Sequence, residues 1–230
     1  MACTDRLEAN DAFETIHSTL VENGAISETE DIIIIDGSRQ KIYFLTGGSI
    51  SASYECSTGY KGFGNEFGSE KTSTGLMYVS RKIGSGEPVG RVFQYRKPTK
   101  YILPEDSGEY AWVCTRILTL EGLQSENENT YPRSIYIHGT NRRSRLGIPA
   151  SGGCIRMSNN GVINLFDRVR VGTKVFIAAT NPSDNPVLPC GTSRRSLRRR
   201  AKDIAGSALG LGNPGLYSGE DVVGGEPDHD

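Results

Sequence analysis

The stretch DIIIIDGSRQKIYFL, residues 31–45, decides the fold class of this 230-residue chain. Its four consecutive isoleucines are β-branched, and β-branched side chains favour strands. Asp36, Gly37 and Ser38 follow as a turn signal, and residues 41–45 return to a strand-like pattern. Two strand patterns joined by a short turn predict a β-hairpin.

Strand patterns of the same kind recur through the middle of the chain. They are separated by clusters of Gly, Pro, Ser and Asn, and they cover residues 50–56, 76–81, 91–95, 111–120, 134–138 and 174–178. One helix is predicted among them, over residues 161–169, with Ser158 or Asn159 as its N-cap. These patterns predict a mostly β fold, a sandwich or barrel with one packed helix.

The two ends differ from this central region, which spans residues 31–179. Residues 1–30 are acidic and predict a short helical extension, an appendage whose apolar positions are Leu7, Phe13, Ile16 and Leu20. Residues 180–230 are first basic and then rich in glycine. They lack a core-forming pattern and therefore predict a flexible tail.

The composition, with 36% hydrophobic and 23% charged residues, is that of a soluble globular protein. No apolar run approaches the roughly 20 residues that a membrane-spanning helix needs, so an integral membrane protein is not expected. The N-terminus lacks the pattern of a secretory signal. The five cysteines lack the paired short spacings of zinc or redox sites, so neither a metal site nor a cofactor is expected.

The net charge of −1 conceals an uneven distribution, because the acidic N-terminal stretch is balanced by a basic run near the other end. That run contains Arg194, Arg195, Arg198, Arg199, Arg200 and Lys202. It could contact phosphate or anionic lipid, although a solvated tail is the simpler interpretation. No aromatic side chains are interleaved with it, so nucleic-acid binding is not expected.

His138 and Cys154 are the candidate catalytic pair. A cysteine attacks carbonyls as a thiolate, and a nearby histidine can take its proton. His138 closes the apolar segment 134–138, and Gly139 is expected to let the chain turn sharply after it. A satisfied, half-buried histidine is the alternative interpretation.

The residues before Cys154 favour a reactive thiol. Ser151, Gly152 and Gly153 are small, which clears space around the sulfur and leaves backbone N–H groups to converge on an oxyanion. A buried structural cysteine is the alternative, but it needs no glycine pair. The histidine precedes the cysteine in this chain, whereas papain-like enzymes have the opposite order.

Together, His138-Gly-Thr140 and the later run SGGCIRM, residues 151–157, resemble the catalytic signature of the L,D-transpeptidase family, the YkuD-type domain. The similarity extends to residues 33–59, 71–78, 160–166 and 171–177. Within residues 71–78, Ser73 stands where proline is common in the family. The resemblance covers roughly residues 31–179 and implies a catalytic domain over that region.

What the resemblance implies is an enzyme that needs no cofactor and acts on peptidoglycan stem peptides. Cys154 attacks the diamino acid–D-Ala bond of a tetrapeptide stem, a thioester forms, and an amine resolves it. His138 is the implied acid–base, and the carbonyl of Gly139 orients it. The amides of Gly153 and Cys154, beside Gly152, are the implied oxyanion donors.

Three further residues carry implied substrate contacts: Arg156, Ser151 and Thr140. For Arg156, bracing the loop is at least as good an interpretation as binding a substrate carboxylate. The sequence departs from the family at Gly152, where a second histidine is usual; the departure affects the oxyanion region more than the base.

Two other functions stay open on the sequence alone. Water in place of the amine would make the protein an L,D-carboxypeptidase, and loss of catalysis would leave a peptidoglycan-binding domain. The implied substrate places the protein in the cell envelope or periplasm. Cytoplasmic residence or export by a specialised secretion route is the alternative, since no signal peptide is evident.

Overall fold

The computed structural model describes residues 4–179, with side chains described from residue 13 onward. Within this range the helices are α1, Thr4–Glu22, and α2, Asn159–Arg168, with short 3-10 turns at Ser125–Asn127 and Arg143–Arg145. The strands are β1 (Ile32–Asp36), β2 (Lys41–Thr46), β3 (Ser49–Ser57), β4 (Gly75–Ile83), β5 (Arg91–Gln94), β6 (Lys97–Ile102), β7 (Val113–Gly122), β8 (Tyr136–Thr140), β9 (Ile155–Met157) and β10 (Lys174–Ala178). The predicted mostly β fold with one packed helix is confirmed.

Eight of these strands close into a ring. Their order is β4-β10-β1-β2-β3-β9-β8-β7, and β7 pairs again with β4. Two of the pairings, β1 with β10 and β8 with β9, are parallel, and the other pairings are antiparallel. The β5–β6 hairpin branches from β7, with β6 as its outer strand. Ring closure removes the unpaired edges that an open sheet would present.

The isoleucine run in β1 is buried on both faces of the sheet. Ile33 and Ile35 point into the main core, whereas Ile32 and Ile34 belong to a second cluster on the opposite face. This division follows from the alternation of side chains along a strand. A continuous apolar run is therefore explained here by two separate hydrophobic layers.

Helix α2 supplies part of the main core, and α1 covers the second cluster. Val162, Leu165, Phe166 and Val169 of the α2 segment join Ile33 and Ile35 in the main core. Helix α2 begins after Ser158, whose hydroxyl accepts a hydrogen bond from the backbone N–H of Gly161. This arrangement confirms the predicted helix stripe and selects Ser158 over Asn159 as the cap.

Helix α1 is not a loose appendage, contrary to the sequence-based expectation. Phe13, Ile16 and Leu20 are only 1–2% exposed and pack in the same cluster as Ile32 and Ile34. The outer face of the sheet is apolar at these positions, so it needs a cover. The pattern of α1 alone indicated an amphipathic helix but not the surface that it would bury.

Two strands were not predicted from the sequence. All six residues of β6 are exposed or half-exposed, and this strand on a sheet edge contains a proline, so it lacks an alternating pattern. β9 has only three residues and lies inside the catalytic-like motif. Both strands are defined by their partners more than by their own sequences.

Some expectations lie outside the described residues. The predicted flexible tail, residues 180–230, and its basic run at Arg194, Arg195, Arg198, Arg199 and Arg200 are among them. Within the described residues, neither α1 nor α2 is long and apolar enough to cross a bilayer.

Replacing Ile16 with alanine is expected to lower the free energy of unfolding by about 2 to 4 kcal/mol, because it leaves a cavity between α1 and the sheet. The matched control is Ser18→Ala, on the exposed side of the same helix, with an expected effect within about 0.5 kcal/mol. Urea unfolding followed by circular dichroism measures both values. Equal effects of the two substitutions would contradict the packed position of α1.

Candidate active site

Parallel pairing of β8 with β9 brings the candidate residues together. Ile137 lies opposite Ile155, and His138 lies opposite Arg156. Cys154 directly precedes β9, so the alternation of side chains directs it and Arg156 to the face that carries His138. Typical strand spacings put the Cα atoms of Cys154 and His138 about 8 Å apart, a distance that a cysteine–histidine contact can span.

The imidazole of His138 is buried and neutral at neutral pH. Its side chain is 2% exposed, and its Nδ1 atom lies 2.8 Å from the carbonyl oxygen of Gly139. Burial lowers the pKa of His138 to about 4; the Gly139 hydrogen bond raises it and the charge of Arg156 lowers it further. A neutral imidazole whose Nδ1–H donates to a carbonyl keeps its other nitrogen as an acceptor.

Gly139 does not turn the chain, contrary to the sequence-based expectation. It continues β8 and pairs with Cys114 of β7 and with Met157 of β9. A Cβ atom at this position would lie 2.5 Å from Oδ1 of Asn159 and 2.8 Å from the carbonyl oxygen of Cys114. Glycine is therefore needed here for close packing beside the imidazole.

A β-bulge in β7 lies opposite His138 and Gly139. The register shifts between Cys114 and Ile117, and the inserted Thr115 has a φ of +70°. This conformation is strained for a β-branched residue. The Thr115 hydroxyl donates to Oδ1 of Asn159 at 2.7 Å and accepts from the Gly90 amide at 2.9 Å, and these two hydrogen bonds hold the bulge.

The turn before Cys154 is fixed by hydrogen bonds at both ends. The Ser151 hydroxyl donates to the carbonyl of Cys154 at 2.5 Å, and the Gly153 amide donates back to that hydroxyl at 3.2 Å. The Thr72 hydroxyl donates to the carbonyl of Gly153 at 2.9 Å. Gly153 has a φ of +122°, which side-chain-bearing residues rarely adopt. The expected oxyanion donor at Gly153 is thus engaged with Ser151 in this structure.

The residues expected to bind substrate lie inside the protein. Ser151 and Thr140 are fully buried, and the Thr140 hydroxyl accepts from the amide of Arg142 at 3.1 Å. Arg156 is 4% exposed and donates to the carbonyl of Ala150 at 2.9 Å. Because these side chains are buried in this structure, the substrate contacts implied for them stay a prediction. The hydrogen bond of Arg156 to Ala150 is the kind of contact that its alternative interpretation, bracing the loop, requires.

Cys154 is half-buried beside residues that sequence analysis did not assign to the site. Its thiol donates to the carbonyl of Ser134 at 3.2 Å. Ser134 has a φ of +59°, an uncommon conformation that turns its carbonyl toward the sulfur. Cys154 also packs against a small apolar cluster that contains Phe93, Ile117 and Tyr136.

The β5–β6 hairpin contacts the same region through Arg96. Tyr95 and Arg96 form its two-residue turn with φ values of +52° and +62°, the geometry favoured in tight hairpins. Nε of Arg96 donates to the Tyr136 hydroxyl at 2.6 Å, and Nη1 donates to the Tyr131 hydroxyl at 2.9 Å. These hydrogen bonds fasten the hairpin next to Cys154.

Arg133 contacts the opposite flank of the region. Its guanidinium donates to the segment 59–74, reaching the carbonyls of Gly64 and Lys71 and the hydroxyls of Ser69 and Ser73. Neither Arg133 nor Arg96 belongs to a motif that the sequence displays. The only local signal for Arg133 was its place just before the predicted strand that ends in His138, and Arg96 had none.

Most of the central region, residues 31–179, matches a known protein family. A family model described as the L,D-transpeptidase catalytic domain, YkuD, matches residues 30–177. The match includes β1 through nearly all of β10 and therefore both His138 and Cys154.

Curated relatives match shorter segments. YqjB of Bacillus subtilis, an inferred L,D-transpeptidase, is 51% identical over 47 residues, which are 20% of this chain and 27% of that protein. ErfK/SrfK of Salmonella typhimurium, also inferred to be an L,D-transpeptidase, is 51% identical over 41 residues, 18% of this chain and 13% of its own length. The matched segments thus span less than a third of either relative.

Solved structures with some similarity include an L,D-transpeptidase from Mycobacterium smegmatis, at 18% identity and a TM-score of 0.42, covering 65% of this chain and 59% of that one. Another is the L,D-transpeptidase of Xylanimonas cellulosilytica, residues 123–326, at 20% identity and a TM-score of 0.42. It covers 70% of this chain and 68% of its own.

Replacing Gly153 with alanine is expected to destabilise the fold and slow any reaction of Cys154. The new Cβ would lie 3.0 Å from both Cδ1 of Ile135 and the Lys71 carbonyl, in addition to the strain at a φ of +122°. Gly147→Ala is the matched control, since Gly147 has a φ of +86° and no atom within 4 Å of its Cβ position. Thermal unfolding and alkylation of Cys154 measure both effects. If Gly147→Ala lowered the stability and the alkylation rate as much as Gly153→Ala, backbone strain at a positive φ would explain both effects, without the steric contacts at Gly153.

The low pKa of His138 predicts a pH-dependent part of the stability. Its folded pKa of about 4 lies below the usual 6.5, so between these values the unfolded chain binds the extra proton. Stability from this group is present above pH 6.5 and is lost as the pH falls toward 4. Between pH 7 and pH 4.5 we expect a loss of about 2 to 3 kcal/mol that is absent in His138→Gln. Urea unfolding at the two pH values measures it; an equal loss in both proteins would contradict the assignment.

Proposed function

The chain belongs to the L,D-transpeptidase catalytic domain family, and we propose that it is a cysteine acyltransferase acting on peptidoglycan tetrapeptide stems. The bond cleaved joins the diamino acid to the terminal D-alanine. The acyl group is held as a thioester on Cys154 and passes to an amine. The observation that carries the proposal is a buried, neutral His138 on the same sheet face as Cys154.

In the first step, Cys154 attacks the carbonyl carbon of the diamino acid. Its proton passes to the available nitrogen of His138, because the imidazole is neutral and its Nδ1 is fixed by the Gly139 carbonyl. The sulfur gains a carbon bond, and the scissile C–N bond then breaks. His138 returns the proton to the departing amine of D-alanine.

In the second step, the amine of an acceptor attacks the thioester. His138 takes a proton from that amine and gives it to the thiolate of Cys154 as the C–S bond breaks. The thioester retains much of the free energy of the cleaved peptide bond, so the transfer requires no nucleotide. The protein is then restored to its initial state.

The hydrogen bonds of the resting site favour a protonated Cys154 thiol, so we infer that His138 takes the proton when the substrate arrives. The Cys154 thiol donates to the Ser134 carbonyl at 3.2 Å, which is an arrangement for a protonated sulfur. A neutral His138 likewise favours the uncharged pair over a preformed ion pair. A rotation of the cysteine side chain would exchange Ser134 for the imidazole.

Oxyanion binding is proposed to use the same turn. The Gly153 amide donates to the Ser151 hydroxyl at 3.2 Å, a long hydrogen bond, while that hydroxyl donates to the Cys154 carbonyl at 2.5 Å. We infer that the Gly153 amide leaves Ser151 for the developing oxyanion, beside the Cys154 amide. Backbone donors of this kind stabilise the charge of a tetrahedral intermediate.

The proposed substrate lies in the cell envelope, and we infer that the protein acts there. Its partner in the reaction is then a peptidoglycan stem, with a second stem or an anchored protein as the source of the acceptor amine.

Incubation with a carbapenem is expected to add one drug mass to the wild-type protein and none to Cys154→Ser. Replacement of His138 by glutamine should slow acylation by about 10²- to 10⁴-fold, because the base is lost. Intact mass spectrometry measures all three proteins, and Cys190→Ser serves as the control that keeps the adduct. An unchanged adduct on Cys154→Ser would refute the nucleophile.

Purified tetrapeptide stems distinguish transfer from hydrolysis. With an amine acceptor present, we expect cross-linked dimers or exchanged terminal D-amino acids, detected by chromatography and mass spectrometry. Tripeptide as the sole product would indicate an L,D-carboxypeptidase that uses water. Stem binding without any product, together with an unreactive Cys154, would indicate a peptidoglycan-binding domain.

A further inference from the structure

Arg133 is a partly buried cation that binds neutral acceptors. Its four hydrogen bonds go to the carbonyls of Gly64 and Lys71, at 3.0 and 2.6 Å, and to the hydroxyls of Ser69 and Ser73, at 3.1 and 2.8 Å. None of these acceptors is a carboxylate, so none of them cancels the charge of the guanidinium. The rigid, planar guanidinium of arginine can make four such hydrogen bonds at once from its two terminal nitrogens. A lysine has only three N–H donors on a flexible side chain.

The segment held by Arg133 also supports the turn before Cys154. The Thr72 hydroxyl donates to the carbonyl of Gly153 at 2.9 Å and accepts from the amide of Gly59 at 2.8 Å. The Lys71 carbonyl that receives the hydrogen bond from Arg133 lies 3.0 Å from the Cβ position of Gly153. One guanidinium thus fixes the surface on which the Gly153–Cys154 backbone rests.

The residue next to Arg133 contacts the sulfur directly. Ser134 accepts the hydrogen bond of the Cys154 thiol at 3.2 Å, and its backbone has a φ of +59°. Burial lowers the pKa of Arg133, while the charges of Glu66 and of a Cys154 thiolate raise it. Attraction between two charges is mutual, so the guanidinium favours the thiolate as the thiolate favours the guanidinium.

Arg96, whose guanidinium donates to the Tyr136 hydroxyl, is a second cation near the sulfur, and two further charges act differently from that of Arg133. Glu66 is the acid that acts on it, but the Glu66 side chain is 70% exposed and lies 4.0 Å from the ammonium of Lys71. Solvent therefore screens it strongly. Arg156, the cation on the other strand, lowers the pKa of His138. It therefore opposes the acceptance of a proton by the base.

We propose that Arg133 is a positioning residue that holds the 59–74 segment beneath the Cys154 turn and, through its charge, favours the Cys154 thiolate. The inference deepens the proposed function, since it rests on Cys154 as nucleophile. Arg133 does not touch the reacting atoms: the four hydrogen bonds of its Nη1 and Nη2 atoms hold the segment, and its effect on the sulfur is electrostatic.

The test measures the pH dependence of iodoacetamide alkylation at Cys154 in the full-length protein, followed by peptide mass spectrometry. Peptide mapping separates Cys154 from the buried Cys56 and Cys114, whose pKa values burial raises. In Arg133→Gln we expect an alkylation rate about 3- to 10-fold lower below the titration midpoint, with the midpoint shifted upward. An unshifted midpoint would overturn the proposal.

Two variants separate charge from packing. Arg133→Lys keeps the charge and loses the fork, so its midpoint should stay near that of the wild type even where its thermal stability falls. A shift in Arg133→Lys as large as in Arg133→Gln would overturn the electrostatic role. If Arg133→Gln does not fold, Arg133→Met, which also removes the charge, replaces it with the same expected upward shift, and an unshifted midpoint in that variant would overturn the proposal. Arg170→Gln, an exposed site, controls for net charge and should leave the midpoint unchanged.

Alkylation requires no peptidoglycan, so this result is independent of the reaction that the protein performs. A shifted midpoint together with no stem cleavage would leave Arg133 as a modulator of the thiol and reject the transpeptidase proposal. An unshifted midpoint together with stem cleavage would reject the role of Arg133 and retain the reaction.

Discussion

Parallel hydrogen bonding between β8 and β9 is the constraint on which the site depends. It puts His138 opposite Arg156, and the alternation of side chains then puts Cys154 on the face of the imidazole. A shift by one residue would send Cys154 to the other face and into the main core. Ile137 and Ile155, which are paired and fully buried in that core, make such a shift costly.

Two backbone segments next to His138 and Cys154 are strained, and hydrogen bonds hold them in place. Thr115 and Ser134 both have positive φ values, and each costs free energy of about 1 to 3 kcal/mol. Thr115 is held by hydrogen bonds to Asn159 and Gly90, and the carbonyl of Ser134, the residue after Arg133, accepts a hydrogen bond from the Cys154 thiol. The strained residues lie in the β7 bulge and just before β8, next to His138 and Cys154. The closed ring of strands holds both segments in place.

Burial sets the protonation of His138. A histidine in this position would normally gain a proton near pH 6.5, but desolvation keeps His138 neutral down to a pKa of about 4. It is therefore available as a base at neutral pH. Two arginines act on the pair in different ways: Arg156 braces Ala150 and disfavours an imidazolium, and Arg133 is proposed to favour the thiolate.

Local patterns in the sequence determined the hairpin of residues 31–45, most of the strands, α2 with a cap at Ser158 or Asn159, and the candidate pair His138 and Cys154. These features depend on residue type and short spacing, which the sequence displays directly. Tertiary structure alone decided what α1 covers, why residue 139 is glycine, which side chains are buried, and that Arg133 and Arg96 flank the sulfur. Each of these follows from contacts between residues tens of positions apart, such as Arg133 with Ser73, and local patterns carry no information about such contacts.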